Sequence, residues 1–95
     1  TRMPRTDEQY RFFTMVKQMP SLAKLWDPFK REYDPEIVDE LLGVTSHGTA
    51  IMLRFFLGVW RNDYYYEFDL FDAVQTLDAD HLLIIKGWMA DPFWP

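Results

Sequence analysis

His47 and His81 are the only side chains in this 95-residue chain that ordinarily titrate near neutral pH, so acid–base or metal chemistry would run through them first. His47 stands between Ser46 and Gly48, and His81 follows Asp78 by three residues. A metal site built from His47, His81 and a carboxylate such as Asp80 would need ligand spacing of the His-x3-His or His-Glu-x-x-His kind, and none is present. The chain has no cysteine, which removes thiolate zinc sites, cysteine nucleophiles and disulfides together. Neither a metal nor a cofactor is expected. Ser46-His47 offers a hydroxyl beside an imidazole, but adjacent residues seldom aim at each other as a catalytic triad requires, and the Gly-x-Ser-x-Gly elbow is absent. Ser46 reads as a helix cap. Carboxylate pairs occur at Asp39/Glu40, Glu67/Asp69, Asp69/Asp72 and Asp78/Asp80. Such pairs do acid–base work when burial shifts one member. Here they fall near expected helix starts and on solvated faces, where they cap, match the helix dipole and keep the chain in solution. Four glycines make no phosphate-binding loop. An enzyme working through a histidine is therefore the third choice among function classes, and the chain is read as non-enzymatic.

The richer signal is aromatic. Tyr64-Tyr65-Tyr66 follows Trp60-Arg61-Asn62-Asp63, and Phe93-Trp94 lies near the end. Three consecutive tyrosines cannot all point inward from a helix or a strand, so at least one ring is expected outside, with Asp63, Glu67 and Asp69 as an acidic rim. Tyrosine and tryptophan join an apolar body to a polar tip and dominate binding hot spots. The candidate partner-binding set is Tyr64, Tyr65, Tyr66, Glu67, Asp69, Asp72, Phe93 and Trp94. Phe93 and Trp94 are also expected to fold back over the rest of the chain. Asp-Pro-Phe occurs at 27–29 and 91–93. The first copy reads as a helix cap, and the second, near a terminus, is more open to an external role.

Charge divides the chain. Residues 1–31 carry net +4 and residues 32–95 net −9, giving −5 overall. Opposite potentials steer partners together. The leading function is thus a protein–protein interaction module whose acidic, aromatic surface holds a basic or mixed-charge protein. Self-association as a homodimer, the basic end of one copy against the acidic region of another, is one form of it. The alternative is an acidic inhibitor that mimics nucleic acid toward a DNA- or RNA-binding protein. Direct nucleic-acid binding is disfavoured. The helices expected at 35–42 and 46–60 resemble a helix-turn-helix only in outline, because the second exposes little polar surface beyond Arg54 and its surroundings repel phosphate. The seven basic residues of the N-terminal third are spread out and read as solvating helix faces.

Short helices must position these groups. Thr6 and Gln9 form a capping box, followed by an apolar face of Phe12, Phe13, Val16 and Met19 that Pro20 ends. Ser21 is expected to cap a turn through Trp26, and Asp27-Pro28 and Asp34-Pro35 each combine a cap with a first-turn proline. The second opens a helix over 36–42, with Ile37, Val38, Leu41 and Leu42 inward and Gly43 as its stop. Ala50–Trp60 is apolar almost all round, which marks a buried central helix over about 46–60, with Gly48 and Gly58 as sites of close helix approach. Phe68, Phe71, Val74 and Leu77 predict a further buried face, and Asp78 caps a last helix that buries Leu82, Ile85 and Met89 with Ile84 and Trp88 beside them. The expected fold is all-α: a compact single-domain bundle of five or six short helices over residues 1–95, with no strand foreseen. Seventeen aromatics supply much of the core that so short a chain needs. The longest apolar stretch is far below the ~20 residues of a spanning helix, and no membrane segment is expected. The lack of cysteine suits a cytoplasmic protein, although Thr1 in place of methionine leaves room for a removed leader.

Overall fold

A computed structural model describes residues 7–27 and 32–94. The fold is organised by α4, His47–Arg61. Ser46 opens it by accepting a hydrogen bond from the Thr49 amide, 3.3 Å away. Ile51, Met52, Leu53, Phe55, Phe56, Leu57 and Val59 are all buried along it, on more than one face, so other elements must cover it from several sides. Asn62 ends it in the left-handed conformation, the terminus usually given to glycine but open to asparagine.

Five more helices and one strand pair surround it among the described residues: α1 Asp7–Val16, α2 Pro20–Ala23, β1 Trp26–Asp27, β2 Glu32–Tyr33, α3 Pro35–Val44, α5 Leu70–Thr76 and α6 Ala79–Ala90. The fold is all-α, as the periodicity predicts. β1 and β2 form a two-residue antiparallel pair with Trp26 opposite Tyr33, a contact the sequence does not announce. α1 brings Phe12 and Phe13 onto α4, with Met15 and Val16 buried on the same helix. Phe12 meets Trp26 and Phe56 edge-on, at 5.2 and 6.3 Å between ring centres, and lies tilted on Trp60 at 5.0 Å. Each such pair contributes on the order of 1 kcal/mol beyond its buried area. No helix among the described residues is long and apolar enough to cross a membrane.

Several local expectations need correction. The N-cap of α2 is Met19, with Pro20 in the first turn and Ser21 inside the helix, because proline gives up an amide that needs no partner there. α3 runs through Gly43 to Val44, and only Val38 on it is fully buried; Ile37 is exposed, and Leu41 and Leu42 pack partly against the core. Asp34 does cap α3, accepting from the Glu36 amide at 3.0 Å. Trp26 and Asp27 lie in β1. Thr6 and Pro28, on which two expected caps rest, lie outside the described residues. A Cβ on Gly48 would meet Leu77 at the end of α5 at 3.6 Å, whereas one on Gly58 would meet the Asp63 carbonyl at 3.5 Å, so Gly58 faces the returning loop and not a helix.

The largest departure is α5. Its buried residues are Ala73 and, at its C-cap, Leu77; Phe71 is 78% exposed and Val74 59%. The reason is angular. Phe68 precedes the helix and Leu77 caps its end, both packed inward; within α5, at about 100° per residue, Phe71 lies about 160° and Val74 about 100° around the axis from the buried Ala73. Residues 73 and 77, one turn apart, share the inner side. On α6, Ile84 and Ile85 are buried and Leu82 and Trp88 partly so, while Met89 and Leu83 are exposed.

Candidate functional site

The loop from Asn62 to Asp69 is built from its own polar groups. The Asp63 carboxylate accepts from the Tyr65 amide at 3.1 Å and from Arg61 Nε at 3.2 Å. Arg61 also donates to the Tyr33 hydroxyl at 3.1 Å and lies 4.6 Å over the Tyr65 ring. The Tyr33 and Tyr66 hydroxyls pair at 3.3 Å, and Arg54 donates to the Tyr66 carbonyl. These bonds turn the middle of the tyrosine run. Tyr66 is buried beside Tyr33, and Tyr64 and Tyr65 are each 69% exposed. Arg61 holds the Asp63 carboxyl below the usual carboxylate range, and burial, with the Tyr33 hydroxyl second, pushes the Tyr66 phenol above its ordinary value. Glu67 completes the turn with a positive φ of 57°.

The C-terminal segment is pinned in a similar way. Trp88 Nε1 donates to the Phe93 carbonyl at 3.0 Å. Arg11 reaches across from α1 to the Asp91 carboxylate at 2.8 Å and lies 4.5 Å over the Phe93 ring. Phe93 is buried, while Trp94 stacks edge-on against Trp88 at 5.1 Å and stays half exposed.

Between these two segments lies an apolar groove of about 220 Å³. Phe55, Phe68, Ile85 and Trp88 form its floor, and Tyr64, Leu70, Met89 and Trp94 its mouth. Asp63 is the one charged residue in the lining. The structure thus brings together Tyr64 and Trp94, which are thirty residues apart in sequence. Tyr65 stands outside the groove on Arg61. Tyr66 and Phe93, expected among the partner-binding residues, are buried; they hold up the rim and are not part of the exposed surface.

Leu70 links the groove to the outer side of α5, where Phe71 and Val74 face solvent. Asp69 fixes the start of that helix, accepting from the Phe71 and Asp72 amides at 2.9 and 3.2 Å. Asp72 ties it to α4 through His47 Nε2 at 2.9 Å and also accepts from Thr76 at 3.2 Å. The histidine, first, and Thr76 hold the Asp72 carboxyl below its usual range. Leu70, Phe71, Val74 and Met89 are members of this surface that periodicity assigned to the core or left unremarked. No local signal turns Phe71 and Val74 outward; that follows from Ala73 and Leu77 packing inward.

The two histidines lie against different carboxylates. His47, with Arg54, Glu67, Asp69 and Asp72, lines a polar depression of about 480 Å³. Ser46 is turned away from acid–base work, since its hydroxyl donates to Thr49 Oγ1 at 2.9 Å while accepting the Thr49 amide. His81 sits 3.4 Å from Asp78, the cap of its own helix. No group of three or more potential metal ligands occurs among the described residues. No protein-family model matches the chain, and neither a curated protein nor a solved structure matches it.

Proposed function

We propose that this chain is a non-enzymatic protein-binding module that seats an apolar segment of a partner polypeptide between Tyr64 and Trp94. The observation that carries the reading is the meeting of those two rings, with Leu70 and Met89, at the mouth of one groove. Rigid aromatic side chains around an apolar hollow give large contact area at little entropic cost and are the usual anchors of polypeptide recognition. A second copy of this chain counts as such a partner. A cytoplasmic setting goes with the absence of cysteine. The acidic-mimic alternative is weakened by how the carboxylates are used. Asp34, Asp69 and Asp78 turn toward helix amides, and Asp72 toward His47, leaving few in rows that could stand for phosphates.

Peptide display on the immobilised full chain tests the reading, with counter-selection on a Tyr64→Ser/Trp94→Ser variant whose helicity is checked by circular dichroism. Both rings are at the surface, so the variant keeps its fold. Peptides enriched on the natural chain and lost on the variant are expected. Equal enrichment on both proteins contradicts the reading.

A further inference from the structure

We infer that residues 91–94 are a latch, closed by Arg11, that decides whether Trp94 stands at the mouth of the groove; the latch rests on its own geometry, and its effect on binding rests on the reading above. Two hollows flank α6. One is the groove. The other, of about 390 Å³, lies between α1 and α6, with Arg11, Met15, Ile84, Trp88 and Phe93 in its lining. Trp88 borders both hollows, Phe93 lines the second and Trp94 the first. The 91–94 segment therefore crosses at Trp88 from one hollow to the other, and its two adjacent rings are placed together.

The contacts that hold the segment are of unequal strength. Phe93 is its one buried ring. The others are surface contacts. Arg11 donates to the Asp91 carboxylate at 2.8 Å and to the Asp91 carbonyl at 3.1 Å, and its guanidinium lies over the Phe93 ring. Trp88 donates to the Phe93 carbonyl, and Trp94 meets Trp88 edge-on. The Arg11 and Asp91 side chains are 42% and 78% exposed, and ion pairs so open to water are weak and screened by salt. A segment held by one buried ring and exposed polar contacts opens at far less cost than the helices it rests on. Arg11 supplies three of these contacts from α1, eighty residues earlier in the chain.

The consequence is a coupling. Arg11 is not in the groove lining, yet its loss frees Phe93 and with it Trp94, which then leaves the mouth it shares with Tyr64. A peptide seated against Trp94 in return favours the closed latch, because linkage between two sites is reciprocal.

Hydrogen exchange of the Trp88 indole N–H, followed by nuclear magnetic resonance on the full chain, tests the latch without any peptide. Arg11→Gln and Asp91→Asn, each with helicity checked by circular dichroism, should speed exchange about threefold or more, as loss of an exposed ion pair and of its stacked ring implies. The double variant should be little faster than Arg11→Gln, since both substitutions break one contact. Raising salt to about 0.5 M should speed exchange in the natural chain and leave Arg11→Gln unchanged. Unchanged exchange in Arg11→Gln, or effects of the two substitutions that multiply, overturns the latch. A display-enriched peptide should bind Arg11→Gln about threefold or more weakly than the natural chain, the loss that an opened latch transmits to the groove; equal affinity overturns the coupling. Failure of display to yield any peptide tells against the module reading, and the exchange measurement still decides the latch.

Discussion

The molecule has two aromatic regions with opposite fates. Phe12, Phe13, Trp26 and Phe56, with Trp60 partly buried beside them, close the side formed by α1, the strand pair and α4. Tyr64, Tyr65, Phe71 and Trp94 lie on the side formed by the 62–69 loop, α5 and the C-terminal segment, and all of them reach solvent. Ring count does not separate the two. The inner rings sit on elements whose apolar residues already point at α4. The outer rings sit where a polar bond turns the backbone away from it: Asp63 at the loop, Asp69 at α5 and Trp88 at the tail. Burial follows the polar groups that fix the chain's direction as much as the rings themselves.

That contrast can be broken or sharpened by substitution. Phe56→Ala should give the largest effect, a loss of about 3–5 kcal/mol in urea unfolding, because it opens a cavity on the fully buried face of α4. Asp69→Ala should cost about 1 kcal/mol in the same measurement through loss of the α5 cap, and should loosen the helix that presents Phe71 and Val74. Asp72→Asn should show a pH-dependent difference. The folded state holds the Asp72 carboxyl below its ordinary value, so its contribution is present above the unfolded-state value and lost as pH falls through the folded one. The stability gap between the natural chain and the variant should therefore close in strong acid, below the ordinary carboxylate range; a gap that persists there contradicts the His47–Asp72 link. Phe71→Ser/Val74→Ser should have the smallest effect on stability, within about 0.5 kcal/mol, since both side chains are mostly in water already.

The central helix was legible because an apolar run of that length on all sides has only one use. The caps at Asp34, Ser46, Asp69 and Asp78 involve neighbouring residues only, and all but Asp69 were read at those positions. The strand pair was not legible, since two residues carry no period. Nor was the outward turn of Phe71 and Val74, which depends on Ala73 and Leu77 docking on α4 from a distant part of the chain. The same limit holds for the candidate site. Tyr64, Tyr65 and Trp94 were named from residue type and are exposed, but that Tyr64 and Trp94 share one groove depends on where Trp88 and Phe55 place its floor. Tyr66 and Phe93 could not be told from their neighbours without the Tyr33 hydroxyl and the Trp88 indole that draw them in.

The four tryptophans allow the two regions to be watched at once. Trp26 and Trp60 report on the inner rings, and Trp88 and Trp94 on the groove. The indole N–H signals of the full chain should be followed by nuclear magnetic resonance while a display-enriched peptide is added. The Trp94 signal should shift in proportion to occupancy while those of Trp26 and Trp60 stay in place. A Trp94 signal that does not move when the peptide binds would contradict the claim that the outer aromatic region is the partner surface.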